Sequence, residues 1–277
     1  MKVAFSSDNH FDLNKVDLIN VLPRQAAYLA GLGLDAYIIN GDLFNDFNRS
    51  LEYVRQLQEA VGGSLTVRFL AGNHDMGFGV TYEELESSID PLYFHNKFLD
   101  FGDYRIIGNN GWYDYSFDED RHSMSEIEHF KHAFWYDRRI EQPMSDPERM
   151  GIVAEQVNNQ IKIAGNRKLI LVNHFVPKID FIREIPNCNT RFEILNAFLG
   201  SSQFSDIAQA NQLQAVVFGH LHRHPNPLTV GKTTYYSAAV GYNTHRVHEW
   251  SGTDIFTEWV QRLVVLDDNR LAQNGSL

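Results

Sequence analysis

Carboxylate, amide and imidazole side chains recur in this chain directly after short apolar runs. Asp8 and His10 follow Val3-Ala4-Phe5, Asp42 follows Gly41 after Ala36-Tyr37-Ile38-Ile39, and Asn73, His74 and Asp75 follow Gly72 after Val67-Arg68-Phe69-Leu70. His174 comes after Leu169-Ile170-Leu171-Val172, and His220 and His222 bracket Leu221 after Ala215-Val216-Val217-Phe218. A mixed set of oxygen and imidazole donors suits Mn, Fe or Zn. Alternation along an extended chain points Asp8 and His10 the same way, and sets His220 and His222 on one side with Leu221 opposite. Asp42 has two oxygens with which to bridge two ions about 3.5 to 4 Å apart. His74 is placed to act as a general acid or as a cation opposing developing charge, with Asp75 available to orient it. Each pattern also has a plainer use, as a turn, a helix cap or a satisfied core histidine. Their common position after apolar runs is what makes chemistry the better reading.

Those runs read as buried strands alternating with helices, an α/β arrangement in which loops at the carboxyl ends of strands share one edge. One edge can therefore gather all five motifs. Between the strands, Asn14–Gly33 has helical spacing that Pro23 should kink or break, and Arg49–Val61 reads as a second helix. Residues 112–165 are rich in His, Trp, Tyr and charge, with helices expected near Ser125–Glu141 and Pro147–Ala164. This stretch reads as a helical cap or insertion over the site edge, either with His122, His129, His132, Trp135, Arg138 and Arg139 available for cationic and stacking contacts to a ligand, or as a solvated amphipathic helix with Phe130, Phe134 and Trp135 packed inward. Thr233–Ala239 and Leu263–Asp267 are expected strands, and Asp268–Leu277 a loose tail.

The 277 residues are expected to form a single domain. A net charge of −11 works against long nucleic acid as a partner, because affinity for a polyanion comes largely from Lys and Arg. Cys188 is the only cysteine, so no internal disulfide forms and a cytoplasmic setting is expected. No export signal is visible at the N-terminus, and no uncharged apolar run approaches the roughly 18 to 20 residues of a membrane span.

The ordered set Asp8-x-His10, Gly41-Asp42, Gly72-Asn73-His74-Asp75, His174 and Gly219-His220-x-His222 resembles the calcineurin-like metallophosphoesterase family. That resemblance implies a four-layer α/β/β/α sandwich of two mixed sheets flanked by helices. It also implies two divalent metal ions, Mn first, with Fe, Zn and Mg as the other candidates. One would be held by Asp8, His10, Asp42 and His222, and the other by Asp42, Asn73, His174 and His220. The implied reaction is hydrolysis of a phosphodiester or phosphomonoester of a small phosphorylated substrate, by in-line attack of a bridging hydroxide with His74 as acid. The block after Asp42 lacks the Asp-Arg-Gly continuation of the protein Ser/Thr phosphatases, and Asp75 stands where they carry Glu. Gly41-Asp42-Leu43-Phe44 with Gly72-Asn73-His74-Asp75 is also similar to DNA-repair nucleases, so a DNA or RNA nuclease is the alternative. A binding module that keeps the fold but loses its chemistry would show eroded ligand positions, and here all seven are filled. An acyl-transfer hydrolase lacks its Gly-x-Ser-x-Gly block.

Overall fold

The computed structural model describes residues 1–183 and 190–274, so Cys188 and the last three residues of the expected tail lie outside the described residues. Ten strands are found among the described residues: β1 (Lys2–Ser6), β2 (Ala36–Ile39), β3 (Thr66–Phe69), β4 (Lys97–Phe101), β5 (Tyr104–Gly108), β6 (Lys168–Val172), β7 (Ala215–Phe218), β8 (Leu228–Val230), β9 (Thr233–Ser237) and β10 (Val264–Asp267). They form two mixed sheets, ordered β10-β1-β2-β3 and β4-β5-β6-β7-β9-β8. In each sheet the central pairs are parallel, while β10, β4 and β8 join antiparallel.

Strand alternation explains the layers. Val3 and Phe5 of β1, Ala36 and Ile38 of β2, Ile170 and Val172 of β6, and Ala215 and Val217 of β7 share one apolar core between the sheets. The intervening Ala4, Tyr37, Ile39, Leu171 and Val216 face the opposite way, into a second core with the helices. Both faces of the strands are therefore buried, which is why they read as continuous apolar runs. The architecture is the α/β arrangement of two mixed sheets flanked by helices.

Several boundaries differ from the sequence reading. The first helix is Leu18–Gly31, not Asn14–Gly33, because Asn14 uses its amide to hold the carbonyls of Asn9 and Gly241, and Asp17 caps the helix through Ile19 N. Pro23 lies inside this helix without ending it. The hydrogen bond it removes would have run to Ile19, which is 85% exposed, so water can take the freed carbonyl. The helix expected at Ser125–Glu141 stops at Phe134, where Trp135 turns extended before a short 3₁₀ turn, Tyr136–Arg139. Capping boxes start Met124–Phe134 at Ser123 and Asp146–Lys162 at Ser145.

Hairpins β4–β5 and β8–β9 go beyond the sequence reading, although two-residue turns, Gly102-Asp103 and Gly231-Lys232, join their strands. The expected loose tail is instead a helix over Asp268–Asn274, docked by Leu271, 1% exposed, into the core between the sheets. Among the described residues no helix is long and apolar enough to cross a membrane.

Candidate metal centre

The strand ends β1, β2, β3, β6 and β7 lie along one edge and are knitted together by backbone bonds. Asp8 N donates to Gly41 O, His10 N to Asp42 O, and Gly219 N to His174 O, all at 2.8 or 2.9 Å. The expectation of simple strand alternation is corrected here. Asp8, His10, Asp42 and His220 all have left-handed backbone, with φ of 57°, 43°, 57° and 66°. Non-glycine residues adopt this region at a cost and cluster at functional sites when they do. The side chains converge because each chain turns sharply after its strand, not because an extended segment alternates.

The seven expected ligands come together in two overlapping groups. In the first, His222 Nε2 is 3.0 Å from Asp8 Oδ1 and 3.3 Å from His10 Nε2. In the second, His174 Nε2 is 3.2 Å from both Asn73 Oδ1 and His220 Nδ1. Asp42 Oδ2 lies between them, 3.7 Å from His10 Nε2 and 3.4 Å from His174 Nε2. Ligand atoms about 2.1 Å from a shared ion stand roughly 3.0 to 3.4 Å apart, so most of these spacings suit metal coordination without large movement.

Charge argues the same way. Asp8 and Asp42 are 0% and 1% exposed, and every ion-pair partner found for them among the described residues is a histidine. An uncompensated buried carboxylate costs several kcal/mol. Burial would raise both carboxyls, but the charge on His174 and the other imidazoles outweighs it and holds them well below the usual carboxylate range. Burial lowers His174 while the Asp42 carboxylate carries it up to about 9, and His222, lowered by burial, is carried to about 10 by Asp8 and Glu249. Burial and the charge on His174 push His220 down to about 3. Two buried carboxylates whose ion-pair partners are imidazoles make a donor set suited to a cation.

A family model, calcineurin-like phosphoesterase, matches residues 1–224. The chain belongs to this family. It is a hydrolase acting on phosphoester bonds. This phosphoesterase is similar in fold to phosphopantetheinyl hydrolase from Mycobacterium tuberculosis, at a TM-score of 0.62 and 18% identity over 96% of this chain and 95% of that one. It is also similar to a protein from Thermus thermophilus, at 0.52 and 13% identity over 96% and 98% of the two chains. No protein of curated function matches the chain.

Asp75 does not do what its position beside His74 suggested. Its buried carboxylate accepts from Asp42 N at 2.6 Å, Gly72 N at 2.8 Å, Leu43 N at 3.2 Å and Phe44 N at 3.3 Å, and from the Ser50 hydroxyl. It fastens the Asp42 loop to the Asn73 loop, while burial and the charge on Asp42 push it up to about 7. His74 is held instead by Asn45, whose Oδ1 lies 2.7 Å from His74 Nδ1. The Tyr136 ring stacks on His74 at 4.1 Å, and the Tyr242 hydroxyl lies 3.3 Å from His74 Nε2.

Two more orienting contacts escaped the sequence reading. Asn40 O lies 2.8 Å from His174 Nδ1, and Glu249 Oε2 lies 2.9 Å from His222 Nδ1, leaving each Nε2 aimed at the cluster. A short-range signal existed for Asn45, three residues after Asp42, but not for Asn40, whose contact is a backbone carbonyl that any residue offers. None existed for Glu249 and Tyr242, which lie beyond the residues that the family model matches.

The cluster opens on a cavity of about 490 Å³ lined by Asp42, His74, Trp135, Tyr136, Leu221 and Tyr242, among others. Of the residues expected to reach ligand from the 112–165 segment, Trp135 lines this cavity. His122 is paired with Asp118, and His132 and Arg138 line a different hollow.

The loops leave no slack. A Cβ on Gly72 would sit 2.1 Å from Asp42 Oδ1 and 2.7 Å from His174 Cε1. Gly72→Ala should therefore displace Asp42 and lower turnover by about a hundredfold, the effect of a roughly 1 Å misplacement. Circular dichroism and kcat on an aryl phosphoester together check this, and wild-type turnover would show that the loop relaxes freely.

Proposed function

We propose that this phosphoesterase cleaves a phosphodiester or phosphomonoester of a small substrate, using two divalent ions held by Asp8, His10, Asp42, Asn73, His174, His220 and His222. The observation that carries this reading is the place of Asp42, whose Oδ2 faces His10 of one group and His174 of the other. Asp8, His10, Asp42 and His222 would hold one ion, and Asp42, Asn73, His174 and His220 the other. Mn suits the mixed oxygen and imidazole set, with Fe, Zn and Mg as the other candidates. When bound, such a pair lowers the pKa of water and neutralises charge on phosphoryl oxygens.

The chain's own groups then position and protonate. In the imidazolium form that a general acid requires, Asn45 Oδ1 accepts the Nδ1 proton of His74, so the Nε2 proton is the one given to the leaving alkoxide, returning the ring to its neutral form. His74 N donates to Asp42 Oδ1 at 2.9 Å, fixing the acid relative to the carboxylate between the two groups. The 112–165 segment serves as a cap, since it contributes Phe134, Trp135 and Tyr136 to the cavity wall alongside Leu221 and Tyr242. A cavity of about 490 Å³ suits a small ligand. Arg223 is the one Lys or Arg among its described lining residues, a poor match to a long polyanion.

Metal-free protein reloaded with Mn and offered a bis-aryl phosphodiester, an aryl phosphomonoester and single-stranded DNA tests the reading. Mn-dependent turnover of one or both aryl esters, exceeding that of DNA, is the expected result. Faster cleavage of DNA favours a nuclease, and a flat response to all three favours a non-catalytic binding module.

A further inference from the structure

One buried acid of the cap touches the metal centre and has no task in the reaction as proposed. Asp137 lies in the turn Tyr136–Arg139, is 0% exposed, and has no Lys or Arg within ion-pair distance among the described residues. Its Oδ1 accepts from Asn73 Nδ2 at 2.7 Å and its Oδ2 from Trp135 Nε1 at 2.9 Å. Burial pushes the Asp137 carboxyl up, offset only in part by its hydrogen bonds to Asn73 and Trp135 and by the more distant charge of Lys131, and a neutral side chain of the same shape would avoid the cost of that burial.

What the charge does follows from the chemistry of an amide. Asn73 can present either oxygen or NH₂ to the centre by turning over its terminal torsion, and only the oxygen can bind a cation. Both oxygens of Asp137 accept, Oδ2 from Trp135 Nε1 and Oδ1 from Asn73, so Oδ1 is satisfied when the NH₂ points toward it. The Asn73 oxygen is then directed at His174 Nε2, 3.2 Å away, inside the second donor group. Turned over, the amide would set its oxygen against Asp137 and its NH₂ against the cation site. The same acid holds Trp135, whose ring stacks on Phe198 at 5.3 Å and lines the cavity.

We propose that Asp137 is a positioning residue, with which the cap turns the Asn73 carbonyl oxygen into the metal centre while fixing Trp135 in the cavity wall. This rests on Asn73 being a ligand. Asp137→Asn accepts either orientation of the Asn73 amide and should weaken one of two Mn affinities by about tenfold to a hundredfold, leaving the other unchanged. At limiting Mn, its electron paramagnetic resonance spectrum should shift from a spin-coupled pair to an isolated ion.

A swap separates this from scaffolding. Asn73→Asp presents an oxygen to the centre whichever way it turns, so combining it with Asp137→Asn restores one donor facing one acceptor and should recover the affinity lost by Asp137→Asn to within about tenfold of wild type. Trp135→Phe removes the other hydrogen bond to Asp137 and should leave both affinities intact. Wild-type Mn binding by Asp137→Asn, equal loss at both sites, or failure of the swap to rescue overturns the proposal. Wild-type protein that binds no Mn overturns the ligand assignment and this inference together, and wild-type protein that binds two while Asp137→Asn does likewise overturns this inference alone.

Discussion

Asp42→Asn is expected to retain the fold and lose turnover by more than about a hundredfold, the loss that even an outer partner of a metal ligand can cause. The replacement is isosteric and neutral. Its remaining oxygen can still accept from His74 N, so the loop that Asp75 fastens to Asn73 has no reason to move. What changes is the group facing His10 Nε2 and His174 Nε2, where an NH₂ replaces the oxygen that both donor groups share. An NH₂ cannot coordinate a cation, so metal content should fall along with rate. Parallel assays of Mn content and of turnover on an aryl phosphodiester check this. Near-normal values of both would refute the assignment of Asp42.

His74→Ala should give a different signature. None of the seven proposed ligands is removed, so metal content should hold. The rate should fall by about a hundredfold or more for alkyl esters, whose leaving groups need a proton, and by much less for nitrophenyl esters, whose leaving groups do not. The local geometry supports this split, because Asn45 fixes Nδ1 while Nε2 reaches the Tyr242 hydroxyl at the cavity. Equal losses on good and poor leaving groups count against an acid and favour a role in binding phosphate.

The strands that carry the motifs were legible because each ends in chemistry and all but β3, whose Thr66 and Arg68 are half-buried, bury both faces, as at Ile38-Ile39 before Gly41-Asp42. The edge hairpin β4–β5 was not, since Lys97 and Asp100 interrupt the apolar run of its outer strand. For the site, the residue types and their order were readable, whereas the means of convergence was not. The left-handed backbone at Asp8 and His220 is imposed by strand-end loops bonding to one another, which no local pattern encodes. Proximity in sequence misled at Asp75. It adjoins His74, yet it faces the Asp42 loop, while the residue that holds His74 is Asn45, three positions after Asp42. Glu249 and Asp137 reach the proposed ligands His222 and Asn73 from remote segments, and only tertiary structure brings them there.

Anomalous diffraction from crystals equilibrated with Mn tests the central claim most directly. Two peaks about 3.5 to 4 Å apart are expected, one against Asp8, His10 and His222 and the other against Asn73, His174 and His220, with Asp42 touching both. A single peak, no peak at saturating Mn, or peaks away from Asp42 would contradict it.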